Sequence, residues 1–124
     1  MVDYFENEFA VFWISESILF FEYKPDVIIN LEVAQRIVTD RIQMQKEKAY
    51  PVLCDVSGIA DSDKAGRDYL ARHGSVLTKA VGIVVQRTLS MVMISFYLKI
   101  SKPQVPTKVF SDRAKALAFL RAFV

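Results

Sequence analysis

The chain has 124 residues, of which 52% are hydrophobic and 24% are charged. This length can bury one closed core and is too short for two ordinary domains, so we expect residues 1–124 to form a single domain. The net charge is only +2, and the bases are scattered without an arginine-rich or aromatic-interleaved motif, which argues against nucleic acid as a partner.

An antiparallel hairpin is predicted at the start of the chain. Residues 8–14 and 17–23 each contain enough aromatic and β-branched residues for a strand, and Ser15-Glu16 is the tight connection between them. Residues 27–29 add a short third strand.

The first predicted helix follows Asn30, which is a good N-cap, and Glu32 is favourably placed in its first turn. Apolar residues then recur at helical spacing and form one stripe that packs, while the other faces stay solvated; these residues are Ala34, Ile37, Val38 and Ile42. We expect the helix to end before Pro51.

Residues 52–66 are the most informative stretch, because a short apolar run stops abruptly in a small, acidic, hydroxyl-rich loop. Residues 52–54 suit a buried strand, and Gly58 permits a turn. Ser62 or Asp61 can cap the helix that follows. A loop between a buried strand and a helix is where function is expected.

The next elements are a helix and a central strand. The helix covers residues 63–73 and stops at Gly74, which we expect as its C′ residue. Residues 80–85 form an uninterrupted apolar run that contains Gly82, as expected of a strand covered on both faces.

The chain closes with a helix, a strand and a helix. Thr88 can cap a third helix that continues to about residue 102, residues 107–110 form a last short strand, and Ser111 caps a terminal helix. A hairpin followed by alternating helices and strands predicts an α/β protein with a mixed sheet flanked by about four helices.

The loop resembles the signature of STAS domains, the SpoIIAA-like family of anti-sigma factor antagonists. The matching residues are Asp55-Val56-Ser57-Gly58-Ile59 and Asp61-Ser62. The Pro-x-x-Val-Phe-Ser-Asp run at residues 106–112 is also similar to divergent STAS-like proteins. The resemblance implies a SpoIIAA-like mixed sheet with an N-terminal antiparallel hairpin.

The resemblance also implies a function. It makes the chain a non-enzymatic regulatory module that binds a protein partner, such as a kinase-type regulator, and it identifies Ser62 as the phosphorylation site. Ser57 is a second candidate. The remaining residues of the expected switch loop are Asp55, Gly58, Asp61 and Asp63.

Both serines also have an ordinary structural explanation, because the hydroxyls of Ser57 and Ser62 can satisfy free backbone N–H groups in a turn and at a helix cap. Phosphate at a helix N-terminus is nevertheless well accommodated, so phosphorylation need not unfold the domain. Together with Asp61 and Asp63, it would make a compact negative patch that repels an acidic partner or breaks a close interface.

Candidate catalytic and metal-binding residues are few. His73 is the only histidine, which excludes any site that requires two, and Cys54 lies in an apolar strand without an evident base partner. Four acids near the loop suit helix capping better than a magnesium site; they are Asp55, Asp61, Asp63 and Asp68. We therefore expect no catalytic residue, no metal and no cofactor, and we do not expect an enzyme.

The predicted third helix carries apolar residues on more than one face. The surplus either packs under the hairpin or the terminal helix, or forms an exposed interaction face that contains Met91, Met93, Phe96 and Tyr97. An exposed face would serve a homodimer, a protein partner or a lipid. It supports the alternative function, which is the binding or carriage of an apolar small molecule or lipid.

The N-terminus lacks a basic region followed by an apolar core, so we expect no secretory signal. The single cysteine excludes an internal disulfide and suits a reducing compartment, which favours the cytoplasm. The longest apolar stretch, around residues 89–100, falls short of the roughly 20 residues that span a bilayer, so we expect no transmembrane segment.

The charges are unevenly placed along the chain. Residues 1–34 contain seven acids and one base, a net charge of −6, whereas residues 35–124 contain seven acids and fifteen bases, a net charge of +8. The two halves can simply pair across the sheet. Alternatively, an acidic edge and a basic face steer an oppositely charged partner or a second copy of the chain.

Overall fold

The computed structural model describes residues 3–86 and 104–124. The strands in these residues are β1 (Tyr4–Glu6), β2 (Ala10–Ser15), β3 (Ile18–Tyr23), β4 (Val27–Ile29), β5 (Tyr50–Asp55), β6 (Ile59–Ser62), β7 (Thr78–Val84) and β8 (Thr107–Phe110). The helices are α1 (Leu31–Gln45), α2 (Lys64–His73) and α3 (Arg113–Arg121).

Six strands form a mixed sheet in the order β1-β2-β3-β5-β7-β8. β2 is antiparallel to both of its neighbours, β1 and β3, whereas β3, β5, β7 and β8 run parallel to one another. β4 and β6 pair in a small parallel sheet of their own. The predicted α/β class, with an N-terminal antiparallel hairpin on a mixed sheet, is confirmed.

The hairpin turn lies one residue later than predicted. Ser15 pairs with Ile18, and the two residues between them, Glu16 and Ser17, have φ angles of 53° and 64°. Two consecutive positive φ angles are typical of a type I′ turn, whose twist matches that of the flanking strands. Glu and Ser rarely adopt positive φ angles, so the pairing of β2 with β3 imposes this turn on them.

A strand that the sequence did not predict, β1, precedes the hairpin. The side chain of Asn7 turns the chain between β1 and β2, because its Oδ1 accepts hydrogen bonds from the N–H groups of Phe9 (2.8 Å) and Ala10 (2.9 Å). Asn7 also donates to Asp40 of α1 at 2.9 Å. The strand expected over residues 8–14 therefore begins only at Ala10.

Helices cover both faces of the sheet. Alternate residues of β5 show this, because Val52 belongs to the core on the α1 side whereas Leu53 belongs to the core on the α3 side. Ala116 and Leu120 of α3 are fully buried in that second core. Alternate residues of β7 likewise belong to both cores, Ile83 to the first and Val84 to the second, so the expected strand covered on both faces is confirmed. Gly82 leaves room there for the Leu120 side chain.

The first predicted helix is confirmed as α1, and Asn30 Oδ1 caps it by accepting the N–H of Val33 at 2.9 Å. Its buried stripe also contains two polar residues that the sequence did not indicate, Arg41 and Gln45. The Arg41 guanidinium donates to Gln45 Oε1, to Val76 O at 3.0 Å and to Gly74 O at 3.3 Å. These bonds attach the segment that follows α2 to α1.

Two predicted helix ends differ from the structure. α3 begins at Arg113, so Asp112 rather than Ser111 is the N-cap, and its Oδ1 accepts the N–H of Ala114 at 2.8 Å. Gly74 at the end of α2 has a φ of −67° and is not the left-handed C′ residue expected. The positive φ of this segment lies instead at Leu77, at 59°.

The predicted third helix, over residues 88–102, lies outside the described residues. Three of the roughly four expected helices are therefore seen in residues 3–86 and 104–124. Over those same ranges, no helix has both the length and the apolar character needed to cross a membrane.

Candidate functional site

The candidate switch loop, residues 55–63, begins at the carboxyl edge of the parallel strands. Glu22, Asp55, Val84 and Phe110 occupy the same register position across β3, β5, β7 and β8. In open α/β sheets, ligands bind outside the carboxyl ends of the strands. The loop that the sequence singled out therefore lies at the edge of the sheet where binding is expected.

The first part of the loop is held by hydrogen bonds. Asp55 Oδ1 accepts the N–H of Ser57 at 2.9 Å, and Ser57 Oγ accepts the N–H of Gln86 at 3.3 Å. Ser57 thereby links the end of β5 to the residues that follow β7. Its hydroxyl has a structural role, as the ordinary explanation of this serine predicted.

Gly58 lies in a turn, as predicted, but for a reason that the sequence did not show. The turn is closed by the N–H of Ile59, which donates to Val56 O at 3.0 Å. No glycine in residues 3–86 or 104–124 has a positive φ. Instead, a Cβ at Gly58 would lie 2.3 Å from Lys24 O and 2.6 Å from Tyr23 O, so the backbones at the ends of β3 and β5 approach too closely for any side chain.

Neither of the two predicted caps of α2, Ser62 or Asp61, is its N-cap. Asp63 is the N-cap of α2, and its Oδ1 accepts the N–H of Gly66 at 2.8 Å. Ser62 and Asp61 belong instead to β6, which pairs with β4. Because this pairing keeps Ser62 in extended backbone, the helix begins one residue later, at Lys64.

Ser62 faces an arginine of α2. Arg67 Nη1 donates to Ser62 O at 2.7 Å and lies 3.2 Å from Ser62 Oγ. The hydroxyl therefore lies near both a guanidinium and the N-terminal end of α2, where free N–H groups and the helix dipole favour negative charge. Asp61 and Asp63 on either side are exposed.

A second arginine gathers two carboxylates at the same edge of the sheet. Arg113 Nη2 lies 2.7 Å from Glu22 Oε1 and 3.3 Å from Asp55 Oδ2. Arg113 is the first residue of α3, so this cluster joins the ends of β3 and β5 to the last helix. Glu22 belongs to the negatively charged residues 1–34 and Arg113 to the positively charged residues 35–124, so their ion pair joins the two oppositely charged parts of the chain.

An apolar cavity of about 130 Å³ lies under α2. Its wall is formed by side chains of β5, β7 and α2, among them Cys54, Ile83 and Leu70, and Ser62 and Arg67 also contribute to the lining. The candidate switch residue therefore lines an apolar cavity together with the cation beside it.

The model of the family described as Domain of unknown function (DUF7793) matches residues 12–124. The chain belongs to this family. The match includes the whole candidate loop and both arginines that bind there. No curated protein sequence is significantly similar to the chain.

Solved structures identify the fold of this DUF7793 chain. An uncharacterized protein of the DUF3478 family from Shewanella loihica PV-4, described as having a SpoIIAA-like fold, is 13% identical, with a TM-score of 0.61 over 97% of this chain and 92% of that one. An anti-sigma factor antagonist from Mycobacterium paratuberculosis is 14% identical, with a TM-score of 0.64 over 90% of this chain and 92% of that one. The SpoIIAA-like fold of STAS domains, which the loop resemblance implied, is confirmed.

Sequence reasoning missed two site residues of the DUF7793 chain, Arg67 and Arg113. Arg67 follows the Asp63 cap by four residues, which places it one turn into the helix beside that cap. Arg113 follows the last parallel strand, so the topology brings it to the same edge as Asp55. Both signals appear only when the strand order and the true start of α2 are known.

The remaining predicted residues do not join this site. His73 is exposed in the last turn of α2, with its ring beside Tyr69 at 4.5 Å between centroids, and Asp68 pairs with Lys64 at 2.7 Å. The expected interaction face lies outside the described residues, so it stays a prediction; it comprises Met91, Met93, Phe96 and Tyr97.

Cys54 gives a pH-dependent test of the packing beside the site. Burial, together with the nearby Asp55 charge, raises the pKa of the Cys54 thiol from 9.0 to about 12. The folded state therefore keeps a proton that the unfolded state loses, and this contribution to stability is complete below about pH 9 and falls as the pH rises towards about 12.

We expect Cys54→Ala to lower the free energy of unfolding at neutral pH by about 1 kcal/mol through lost packing. The difference should shrink or reverse above about pH 9, because only the wild type carries the thiol. Urea unfolding of both proteins at several pH values measures this, and groups shared by the two proteins cancel. A difference that stays constant across the alkaline range would contradict the raised pKa of the Cys54 thiol.

Proposed function

We propose that the chain is a non-enzymatic regulatory module that binds a protein partner around residues 55–63 and is switched by phosphorylation of Ser62. The observation that carries the proposal is the 3.2 Å approach of Arg67 Nη1 to Ser62 Oγ beside the N-terminal end of α2. The shared fold with an anti-sigma factor antagonist supports a protein partner.

A kinase-type partner would transfer phosphate from ATP to the Ser62 hydroxyl and release ADP. A reduced thiol at Cys54 fits the cytoplasmic location that we propose.

A phosphate on Ser62 would lie beside the Arg67 guanidinium, which already contacts the Ser62 hydroxyl. It adds about −1.5 to −2 charges and three acceptor oxygens, which the Arg67 guanidinium and the free N–H groups of α2 can bind. Burial of a dianion in an apolar cavity is unfavourable, so the phosphate would stay at the surface beside Arg67, with Asp61 and Asp63 on either side. A partner that packs closely there must strip water from this charge, and its affinity falls.

Ser57 is less suited to modification. Its Oγ accepts the N–H of Gln86, and its own N–H is bound by Asp55. Phosphorylation would separate the ends of β5 and β7 and add charge beside the carboxylate of Asp55. We therefore place the switch at Ser62 rather than at Ser57.

The switch predicts opposite behaviour of two Ser62 variants. Ser62→Asp should weaken a partner complex by about tenfold or more, whereas Ser62→Ala should bind within about threefold of wild type. Since Asp63 is the helix cap, neither change removes it. The partner is first isolated by capture of the full-length protein from its own source, and the purified partner is then titrated with each variant. Thermal unfolding of each variant is the control for folding. Equal partner affinity of wild type, Ser62→Asp and authentically phosphorylated protein would contradict the switch.

The apolar cavity favours a second candidate function, the binding of an apolar small molecule. Its volume of about 130 Å³ is close to the roughly 150 Å³ of a cavity that holds benzene, and it is well below the roughly 300–1,000 Å³ of drug-sized sites. A benzene-sized molecule therefore fits inside the cavity, whereas a lipid chain would have to extend through its opening to the surface. Native mass spectrometry of the captured protein separates the candidates, because a stoichiometric small mass favours the binder and a stoichiometric protein favours the regulator.

A further inference from the structure

Two adjacent cavities lie along α2. The apolar cavity described above, which we call the first cavity, is lined by Arg67 in the first half of the helix, and a second cavity, of about 80 Å³, is lined by Gly74 at its end. Four residues line both cavities; they are Tyr23, Cys54, Leu70 and Val81. Because the two cavities share these walls, rotation of the Leu70 side chain would join them into one space that follows α2.

The two ends of this space differ in their free hydrogen-bond donors. Arg41 lines the second cavity, but it is only 4% exposed and its guanidinium already donates to three protein oxygens. Arg67 lines the first cavity and is only partly buried, and within residues 3–86 and 104–124 it donates to Ser62 alone, through Nη1. A guanidinium has five N–H donors, so donors of Arg67 remain for a ligand.

Arg67 also has no acidic partner in the described parts of the chain, because none of the ion pairs there includes it. A guanidinium binds carbonyl and carboxylate oxygens well, and it binds a carboxylate through two parallel hydrogen bonds. The first cavity therefore combines apolar walls with one cation that can bind an oxygen atom.

The cavity volumes set the size of a ligand. A cavity of roughly 150 Å³ holds the six carbons of benzene. On this scale the first cavity, of about 130 Å³, takes about five carbons, and the second, of about 80 Å³, takes about three. A chain of about eight carbons therefore fills the joined space.

We propose that the joined cavities bind a medium-chain carbonyl compound, with its apolar chain under α2 and its terminal carbonyl or carboxylate oxygen at Arg67. Each methylene group that leaves water for the apolar walls favours binding. A ligand without an oxygen atom would cover the Arg67 donors and leave them unsatisfied, whereas a ligand with polar groups along its chain would lose water without gaining partners.

This inference rests on the second candidate function, the binding of a small molecule in the first cavity, and it does not rest on the switch. It adds the second cavity and the oxygen atom at Arg67. A phosphate on Ser62 and the oxygen of the ligand would both bind Arg67, so the test uses unmodified protein.

The test is calorimetric titration of the full-length unmodified chain with 2-octanone, octanoate and toluene. The first two compounds distinguish an uncharged from an anionic ligand, and toluene, which has no oxygen atom, reports on the first cavity alone. At least one of the two carbonyl compounds should bind more tightly than toluene. Arg67→Met keeps an apolar side chain at the cavity wall, and it should weaken binding of that compound by about tenfold while toluene stays within about twofold.

Arg72→Met is the matched control, because it removes an exposed arginine from the same helix and Arg72 lines neither cavity. It should change the affinity for all three compounds by less than about twofold. Thermal unfolding shows whether each variant is folded.

Chain length tests the second cavity without any substitution. Compounds that carry the preferred oxygen group should bind about fourfold more tightly for each methylene added between about five and about eight carbons, and longer chains should gain little. A gain that stops at about five carbons would overturn the joining of the two cavities.

Two further results separate this inference from the function on which it rests. If toluene binds but neither carbonyl compound binds more tightly, or if Arg67→Met acts on them as Arg72→Met does, the role of Arg67 is overturned and the second candidate function stands. If none of the three compounds binds, both the inference and the second candidate function are overturned.

Discussion

Replacing Gly58 with alanine will lower the free energy of unfolding by about 3 kcal/mol or more. The new Cβ would lie 2.3 Å from Lys24 O and 2.6 Å from Tyr23 O, which are backbone atoms of the last residue of β3 and of the residue that follows it. A side chain can rotate away from such a clash, whereas a carbonyl in a paired strand cannot. The loop after β5 must therefore separate from β3, and urea unfolding measures the loss.

Gly82→Ala is the matched control for Gly58. Its Cβ would lie 3.3 Å from Leu120 Cδ1, a side-chain atom that can shift, and alanine restricts the unfolded chain more than glycine does. We expect a change within about 1 kcal/mol. Similar losses for the two variants would show that the close approach at Gly58 is relaxed in solution.

The Gly58 geometry also explains what the loop signature can and cannot predict. Asp55 binds the N–H of Ser57, Ser57 binds the N–H of Gln86, and Gly58 allows two backbones to approach. These three residues hold the edge of the sheet together. The first part of the signature therefore predicts the fold well, whereas the proposed switch depends on its last residue, Ser62, and on Arg67 outside it.

Elements with strong periodicity were predictable from the sequence. α1 has a clear apolar stripe and a good cap at Asn30, and β5 and β7 are apolar runs bounded by turns. β1 and β6 were not predictable, because one is exposed throughout and the other contains Ala60, Asp61 and Ser62. Both become strands only through pairing with a neighbour, which local sequence does not encode.

The candidate site was predictable in position but not in its charges. A loop after a buried strand could be placed at the carboxyl edge of the sheet from the order of elements. Whether Ser62 or Asp63 caps α2 depends on β6, which ends one residue before the cap. Arg113 reaches Glu22 across 91 positions of sequence, and no local pattern predicts such a contact.

The second large effect is expected at Arg41, which attaches α2 to the rest of the protein. Only 4% of Arg41 is exposed, and burial lowers its pKa to about 10, so it remains charged at neutral pH. No carboxylate pairs with it in residues 3–86 and 104–124. Its charge is instead satisfied by Gly74 O, Val76 O and Gln45 Oε1, close to the negative end of the α2 dipole.

Arg41→Ala will lower the free energy of unfolding by about 2–4 kcal/mol, because it leaves buried oxygens without donors and opens a cavity. Arg36→Ala on the exposed side of the same helix loses only an ion pair with Asp40 and should change stability by less than about 0.5 kcal/mol. Arg41→Lys keeps the charge but cannot bridge the separated carbonyls, so it should recover less than about half of the loss.

Hydrogen exchange shows whether the Arg41 effect reaches the candidate site. Gly66 is the only fully buried residue of α2, and Tyr69 and Leu70 pack partly buried against the core. The two ends of the helix are fixed by the close approach of Gly66 to Ile29 O and by the Arg41 bonds to the segment after it. Loss of the second attachment should speed exchange along α2, including the amides near Arg67, while β5 stays protected. Uniform acceleration across the sheet and α2 would mean that Arg41 stabilises the whole fold and does not selectively position the helix that carries Arg67 beside Ser62.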